Sequence, residues 1–559
     1  MMGSRLNSLR WVSVVLLACL APMTLHANET TSAIRGKVVN SSGSPLANVS
    51  VQVKDERTSG TKSFTTNESG TFYAPRLAVG GPYSLIVDGR VLARVGQISL
   101  GDDYSVTLEL NSQSMEEVVV YGDASSMTDV AAGPSATFSN YDLETSIAFE
   151  RDLIDVISLD PRINIDQSGF EVNCAGKHPR FNSVTLDGVS QNDRFGLNSN
   201  PYSTATGMPF PYDAIEQVSA ELAPFDVTYG GFSACNINAV TKQGSNEWEG
   251  KVFYEYTSDD LRGDQIGDTS ISSPGYTEDK WGLAFGGPIM KDKLFIFGAY
   301  ETSQEPRFIG MGYAGSGNAI ERDWLPKADY DRIVAIANDV YDYDPGGQPS
   351  DGAQENKKYM VRLDWIINDQ HDLAIIYNYF DGFQDRASDG DSNEFEFANH
   401  YYVKGAESET TTLKLSSQWT DAFSTELFYS DSEMIDGQVT RGPKDFGDFQ
   451  ISYNGRSDTI YLGADDSRQA NRLFTKSKYF RLVGNYLVGD HLITAGFESE
   501  ELEIFNMFVQ HSRGGEWDFF DDSQDNPEAC SELSAQGRFD AAECGTSGIE
   551  SSEQDSGLS

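Results

Sequence analysis

Runs of carboxylates are the side chains of this chain with the clearest capacity for chemistry. They form two groups: Asp385, Asp389, Asp391 and Glu394, and then Asp518, Asp521, Asp522 and Asp525. Carboxylate oxygens are the ligands that Ca²⁺ prefers, so both groups are candidate calcium sites. Neither has the spacing of an EF-hand loop, and solvated loops are the usual setting of such runs. We therefore expect loops here, with bound Ca²⁺ as the alternative and no other cofactor.

Aromatic residues lie among these carboxylates and are candidates for stacking on a sugar or a peptide. They are Phe395, Phe397, Tyr401, Tyr402, Trp517, Phe519 and Phe520.

A catalytic constellation is missing from the sequence. The 6 histidines are scattered and form no HExxH or triad-like spacing; they are His26, His178, His371, His400, His491 and His511. The string GYAGSG at Gly312 to Gly317 superficially resembles a phosphate loop, but no strand-to-helix context accompanies it. It predicts a flexible turn, and the chain as a whole is not expected to be an enzyme.

Residues 1–27 are typical of a secretory signal peptide. Arg5 and Arg10 precede the apolar run from Trp11 to Leu20, and Ala27 follows near a polar residue. Lipidation at Cys19 is the alternative to simple cleavage, but Leu17 fits a lipoprotein site poorly.

Four cysteines follow the signal peptide, namely Cys174, Cys235, Cys530 and Cys544. An even number in an oxidising compartment predicts disulfides. Of the three connectivities, the one that keeps each bridge inside a single region pairs Cys174 with Cys235 and Cys530 with Cys544.

The string Glu117-Val118-Val119-Val120-Tyr121-Gly122 is a β-prone apolar segment between two polar linkers. No neighbouring apolar run is available to pack against it, so we interpret it as a mobile strand awaiting a partner. A tethered extended segment of this kind can add itself to the edge of another protein's sheet through main-chain hydrogen bonds.

Charge limits the partners. The 41 basic and 85 acidic side chains give a formal charge of −44, which excludes direct nucleic-acid binding because phosphate contacts need basic patches.

Residues 31–110 alternate short β-prone runs with turn clusters, which predicts a small antiparallel sandwich. The string IRGKVVNSSGSPLANVSVQVKD, followed by TTNESGTFYAPRLAVGGPYSLIV, resembles the carboxypeptidase regulatory-like domain. This resemblance implies a transthyretin-like fold and no catalysis.

Residues 141–247 follow a linker at 111–140 and read as a mixed α/β unit, with a helix predicted over Ala148 to Leu159. Val184-Thr185-Leu186-Asp187-Gly188 and Ile237-Asn238-Ala239-Val240-Thr241-Lys242 resemble landmarks of the plug domain of TonB-dependent outer-membrane receptors. The string Glu117 to Gly122 resembles the TonB box of that family. Where the family often has Arg-Gly, this chain has Cys174-Ala175-Gly176, which implies a disulfide-fixed plug. Tyr121 stands where a small residue is common, which leaves the register of the docking strand open.

Residues 248–559 carry segments of about ten residues with period-two alternation, typical of transmembrane β-strands. In the clearest, Val361, Trp365 and their alternate neighbours would face lipid, while Arg362 and Asp364 would face the lumen. Nine strands are predicted, at about 250–258, 279–288, 293–302, 357–367, 372–381, 410–419, 423–435, 475–488 and 491–506.

Tight turns on one side and long connections on the other favour an outer-membrane barrel over a soluble sandwich. Trp248, Trp281, Trp365 and Trp419 lie near strand ends, as an interfacial girdle would place them. An odd number of strands leaves an unpaired edge, and plugged transporters close with about 22 strands, so we expect the barrel to be incomplete in this chain.

The expected fold class is thus mainly β: an incomplete antiparallel transmembrane barrel, a mixed α/β plug and an N-terminal sandwich. The resemblance implies an Oar-like receptor of the Gram-negative outer membrane, energised by TonB of an inner-membrane complex, with Glu117, Val118, Val119, Val120 and Tyr121 as the docking residues. A peptide or an oligosaccharide is the favoured extracellular ligand. The alternative function is surface adhesion or protein export.

Overall fold

The computed structural model of the chain describes residues 30–519 with gaps, together with 549–551. The gaps are 111–117, 121–134, 149, 167–170, 196–201, 223–228, 262, 264, 268, 271–274, 308–309, 319, 350–351, 444–445, 455–456, 490 and 513. Strands dominate, so the predicted mainly β fold class is confirmed. Among the residues described, no helix has the length and apolar character needed to cross a bilayer.

The N-terminal unit is a sandwich of two sheets. Its strands are β1 Ser32–Asn40, β2 Ser50–Asp55, β3 Thr61–Thr65, β4 Thr71–Leu77, β5 Tyr83–Val87, β6 Arg90–Val95 and β7 Asp103–Leu110. One sheet has the order β4-β1-β7, and the other begins β3-β2-β5-β6. Alternate residues such as Ile34, Val38, Leu85 and Leu108 point into a shared core because one face of each strand is covered by the opposite sheet.

The docking string forms a short strand, β8 Val118–Val120, at the edge of the second sheet. It runs parallel to β6, with Val118 opposite Ala93 and Val120 opposite Val95. The expectation that this segment has no partner within the chain is therefore wrong. The physical reason is that the edge of β6 offers main-chain groups to any extended segment tethered nearby.

The plug contains two short helices and a five-stranded sheet of order β13-β12-β15-β14-β9. Its elements are β9 Ser135–Ser139, α1 Asn140–Thr145, α2 Leu153–Ile157, β10 Ile163–Asp166, β11 Glu171–Cys174, β12 Ser183–Leu186, β13 Val189–Ser190, β14 Ile215–Leu222 and β15 Cys235–Thr241. Short 3₁₀ helices occupy Pro179–Phe181 and Tyr212–Ala214.

The predicted helix over residues 148–159 is shorter than expected. Arg151 has a left-handed backbone with φ of 51°, which a continuous right-handed helix cannot include. Asp152 then caps α2 by accepting a hydrogen bond from the Ile154 N–H at 3.0 Å.

Nine long antiparallel strands form the largest sheet, in the order in which they occur along the chain. They are β16 Glu249–Ser258, β19 Thr277–Met290, β20 Leu294–Arg307, β23 Gly352–Asn368, β24 His371–Arg386, β26 Tyr402–Thr420, β27 Phe423–Thr440, β30 Ala470–Val488 and β31 His491–Val509. All nine predicted strands are confirmed. Most extend further than predicted at the end next to the long connections, because polar residues continue the pairing where the apolar alternation stops.

The long connections carry structure of their own. They contain β17 Gln265–Ile266, β18 Thr269–Ser270, β21 Met311–Tyr313, β22 Ile320–Arg322, α3 Lys327–Tyr341, β25 Glu394–Glu396, β28 Asp448–Tyr453, β29 Asp458–Gly463, β32 Glu516–Phe519 and β33 Ile549–Ser551, with 3₁₀ helices at Asp259–Leu261, Ala398–His400 and Asp466–Arg468. The sheet β25-β29-β28-β32-β33 and α3 form a layer beyond the ends of the long strands, which we call the exterior layer.

The exterior layer corrects one interpretation of the aromatic residues. Phe395 and Phe397 are fully buried and pack with Tyr330 of α3, so they form a core and are not open to a ligand. Burial follows from α3, which lies within the long connection between β20 and β23.

Candidate docking strand and plug interface

The docking strand has a defined neighbour on one side only. Val118, Val119 and Val120 lie at the end of the sheet order β3-β2-β5-β6-β8, so β8 is the edge strand of that sheet among the residues described. An edge strand presents unpaired N–H and C=O groups that a further strand can match. Glu117 and Tyr121 lie outside the described residues, and the docking role of all five residues stays a prediction.

The two plug landmarks come together as neighbouring strands. β12 and β15 are parallel, with Val184 opposite Ile237 and Leu186 opposite Ala239. Asp187 then accepts hydrogen bonds from the N–H and the hydroxyl of Thr241, at 3.0 and 2.7 Å. The landmarks therefore form one rigid centre of the plug sheet.

Arg362 connects this centre to the large sheet. Its Nη1 donates to the Thr241 carbonyl at 3.0 Å and lies 3.7 Å from Asp187 Oδ1. Its Nη2 is paired with Asp364 at 2.9 Å on the same strand, β23. The prediction that Arg362 and Asp364 face the lumen is confirmed, whereas Val361 and Trp365 on the opposite face are exposed.

A second ionic cluster joins the plug to the large sheet through Arg151. Its guanidinium is 2.7 Å from Asp213 of the plug and 3.2 Å from Glu301 of β20. Glu301 also pairs with Lys358 of β23 at 2.9 Å. These side chains are nearly inaccessible, and the Arg151 guanidinium lies 3.5 Å from the centre of the Phe253 ring. A buried ion pair of this kind is costly to break because removing one partner leaves the other charge buried and unpaired.

Sequence reasoning missed Arg151. Its position in the sequence carries no periodic signal, and only the fold brings it to Asp213 and Glu301. The alternation of β23, in contrast, was enough to identify Arg362.

The sandwich touches both the plug and the large sheet. On the plug, Arg57 Nη1 lies 4.0 Å from Glu216, and the Leu100 N–H donates to Gln217 Oε1 at 2.6 Å. On the large sheet, Lys62 pairs with Asp372 at 2.7 Å. The docking strand is therefore attached to a unit that itself contacts the plug.

Arg76 of the sandwich reaches a buried cluster on the large sheet. It lies 3.2 Å from Glu426 of β27, which also pairs with Arg481 at 2.7 Å and Lys414 at 3.4 Å. A cavity of about 820 Å³ opens beside these contacts, between the sandwich, the plug and the sheet.

A disulfide joins Cys174 at the end of β11 to Cys235 at the start of β15, with the two Cα atoms 5.9 Å apart. Both cysteines are fully buried in the plug core. The predicted pairing of these two is confirmed; Cys530 and Cys544 lie outside the described residues.

The first carboxylate group is divided by the fold. Asp385 pairs with Arg441, and Glu394 accepts from the Asp391 N–H at 2.8 Å, while Asp389 turns towards His400. The group therefore does not assemble as one calcium site. Of the second group, Asp518 lies in β32 and Asp521, Asp522 and Asp525 lie outside the described residues.

The Gly312 to Gly317 turn is occupied by its own chain. Glu321 accepts hydrogen bonds from the N–H groups of Gly315 and Gly317, at 2.9 and 2.7 Å, which lowers the pKa of its carboxyl. These are the donors that a phosphate would need, so the turn interpretation holds.

Asp389 belongs to a group around a fully buried histidine, which we call the His400 cluster: His400, Asp389, Glu396, Asp448 and Asp465. Burial raises the pKa of Glu396 to about 8 and that of Asp448 to about 7. Burial alone would lower the pKa of His400. The neighbouring carboxyl groups of Asp448, Asp389 and Glu396 outweigh this effect and raise the pKa to about 10.

Comparison with known proteins fits this architecture. Residues 33–111 match the carboxypeptidase regulatory-like domain, and residues 240–307 match an outer membrane beta barrel domain. The TonB-dependent transporter Oar of Myxococcus xanthus is 27% identical over 372 residues, which are 62% of this chain and 33% of that protein. The chain is related to the TonB-dependent outer-membrane receptors. Its resemblance to an Oar-like protein of the outer membrane is confirmed.

The fold of this chain also resembles that of a solved transporter. The outer membrane transporter YddB from Escherichia coli aligns with a TM-score of 0.50 at 12% identity, over 70% of this chain and 52% of that one. This chain thus spans about a third of the length of Oar and about half that of YddB. Both matched proteins are named as transporters.

Proposed function

We propose that this chain works in TonB-dependent transport across the outer membrane, with β8 as the strand that TonB captures. The observation that carries the proposal is the position of β8: it is an edge strand on a sandwich that contacts the plug. An added strand gains main-chain hydrogen bonds along such an edge, and alternate side chains set its register.

The contacts suggest how tension on β8 reaches the plug. β8 is paired with β6, and the sandwich holds the plug strand β14 through Glu216 and Gln217. Force applied to β8 would therefore act on the plug through these contacts, and the cavity beside Arg76 and Arg362 gives the plug room to shift.

For the transported ligand we propose a peptide or an oligosaccharide. The support is the size of the exterior layer, which adds a helix and a mixed sheet above the strands, and the net charge of −44, which disfavours anionic cargo. Ligand reaches the plug only after passing this layer.

Binding of a purified periplasmic domain of TonB to the purified protein tests the docking role. Val119→Pro removes a ladder donor and is expected to weaken binding about tenfold or more, equivalent to about 1.4 kcal/mol. Val119→Thr keeps both the donor and the β propensity, so it serves as the matched control and should bind like the native protein.

Equal binding by the proline and threonine variants would show that TonB does not pair with β8. Full TonB binding combined with loss of surface attachment, and with no dependence of uptake on the proton gradient, would favour the adhesion function instead.

A further inference from the structure

The exterior layer contains a histidine in an unusual setting. His400 ends the 3₁₀ helix Ala398–His400, and Tyr401 separates it from the start of β26; the His400 side chain is 1% exposed. Its Nε2 lies 3.1 Å from Asp389 Oδ2. Asp389, His400 and Asp465 each offer one potential ligand atom, and these three atoms lie within 4.8 Å of one another.

The other ring nitrogen faces a second carboxylate. His400 Nδ1 is 3.4 Å from Asp448 Oδ1, and Asp448 is also 1% exposed. Neither of these two buried atoms has a hydrogen-bond partner among the residues described. Buried polar atoms without partners are costly, so a small shift of the imidazole that closes the gap to Asp448 would be favourable.

The local charge is unbalanced. Asp448, Asp465 and Glu396 are fully buried and Asp389 is partly exposed, whereas Arg468 is the cation that pairs with Asp465, at 3.2 Å. When all four carboxyl groups are ionised, a protonated His400 and Arg468 together still leave an excess of negative charge. A divalent cation would neutralise this excess.

We propose that Asp389, His400 and Asp465 bind a divalent transition-metal ion such as Zn²⁺, with Asp448 orienting the imidazole. The geometry fits the chemistry: two ligands about 2.0–2.1 Å from a tetrahedral Zn²⁺ are roughly 3.3 Å apart, close to the observed Nε2 to Asp389 distance. A carboxylate on the second nitrogen of a ligating histidine is the usual orienting partner.

The imidazole ligand of His400 determines which class of metal ion the site would prefer. Ca²⁺ and Mg²⁺ prefer all-oxygen sites, whereas a nitrogen and two carboxylates suit Zn²⁺ and its neighbours. Burial of His400 marks the ion as resident rather than cargo. Arg468 must release Asp465 when the ion enters, because both compete for the same carboxylate.

The site would join two separate connections of the sheet. Asp389 and His400 lie between β24 and β26, whereas Asp448 and Asp465 lie between β27 and β30. A bound ion therefore fixes the exterior layer above the sheet.

Zn²⁺ titration of the purified full chain, followed by dialysis against metal-free buffer and elemental analysis, tests the proposal. We expect one retained ion per chain. His400→Ala should abolish retention, and Asp448→Asn, which changes only the orienting residue, should weaken binding by roughly 10–100-fold. His491→Ala, on the exposed strand β31, is the control and should bind normally.

Co²⁺ provides an independent readout, because His400 ligation gives a visible d–d absorption that His400→Ala loses. Chelator should increase proteolysis of the native protein between residues 387 and 401. Absence of retained Zn²⁺ in the native protein would overturn the proposal even if the variants fail to fold. Loss of the ion in His511→Ala, with retention in His400→Ala, would also overturn it by moving the site to the Asp466, His511 and Glu516 group.

Discussion

At the scale of single residues, buried charges determine how the plug is held. Arg151 is surrounded by Asp213 and Glu301, all with side chains less than a tenth exposed. Arg362, on the large sheet, makes a corresponding contact with Asp187 and Thr241 of the plug. These arginines fix the position of the plug because their buried carboxylate partners cannot form hydrogen bonds with water instead.

Arg151→Leu is expected to lower the stability of the plug by ~3–5 kcal/mol, since it leaves the Asp213 and Glu301 carboxylates buried with less compensation. Hydrogen exchange of the β14 and β15 amides measures the loss. Arg35→Leu removes an exposed pair with Asp103 and should cost at most about 1 kcal/mol. Similar losses in the two variants would contradict the structural role of Arg151.

At the scale of elements, β11 and β15 are joined by the bridge between Cys174 and Cys235, which are 61 residues apart. The bridge closes a loop that contains both β12 and β14. Constraint of such a loop disfavours the unfolded plug more than the folded one.

The double variant Cys174→Ala, Cys235→Ala is expected to lower the unfolding free energy of the plug by ~2–4 kcal/mol. Denaturant melting of the native protein with and without reductant is the companion measurement, and reduction should reproduce the effect of the variant. An unchanged midpoint in both experiments would show that the bridge does not stabilise the plug.

At the scale of the whole molecule, an apolar outer face separates the sandwich from the exterior layer. Trp248, Trp281, Trp365 and Trp419 are all 40% exposed or more on this face. The opposite side of the sheet contacts the plug through Glu301 and Arg362 and the sandwich through Asp372 and Glu426. This distribution matches a sheet with lipid on one side and protein on the other.

Lipids with brominated acyl chains test this placement by quenching tryptophan fluorescence on contact. In reconstituted protein, a variant that keeps only Trp365 should be quenched strongly. A variant that keeps only Trp324, whose Nε1 donates to Ser392 in the exterior layer, should be quenched little. Equal quenching would contradict a membrane boundary between these two positions.

The sequence by itself determined the local patterns. Alternation along β23 identified which residues face lipid and which face the lumen, because side chains of a strand alternate strictly between its two faces. Cysteine parity indicated the plug bridge, and turn residues located the ends of the strands.

Only the tertiary structure decided which distant groups meet. Arg151 acquires its role from Glu301, β8 acquires β6 as a neighbour, and His400 is enclosed by carboxylates from two connections of the sheet. Such contacts join residues far apart in the chain, and no local propensity or periodicity records them. The sequence therefore determined the strands and their faces, while the packing of plug, sandwich and exterior layer decided where charge is buried and where a partner strand or a metal ion can bind.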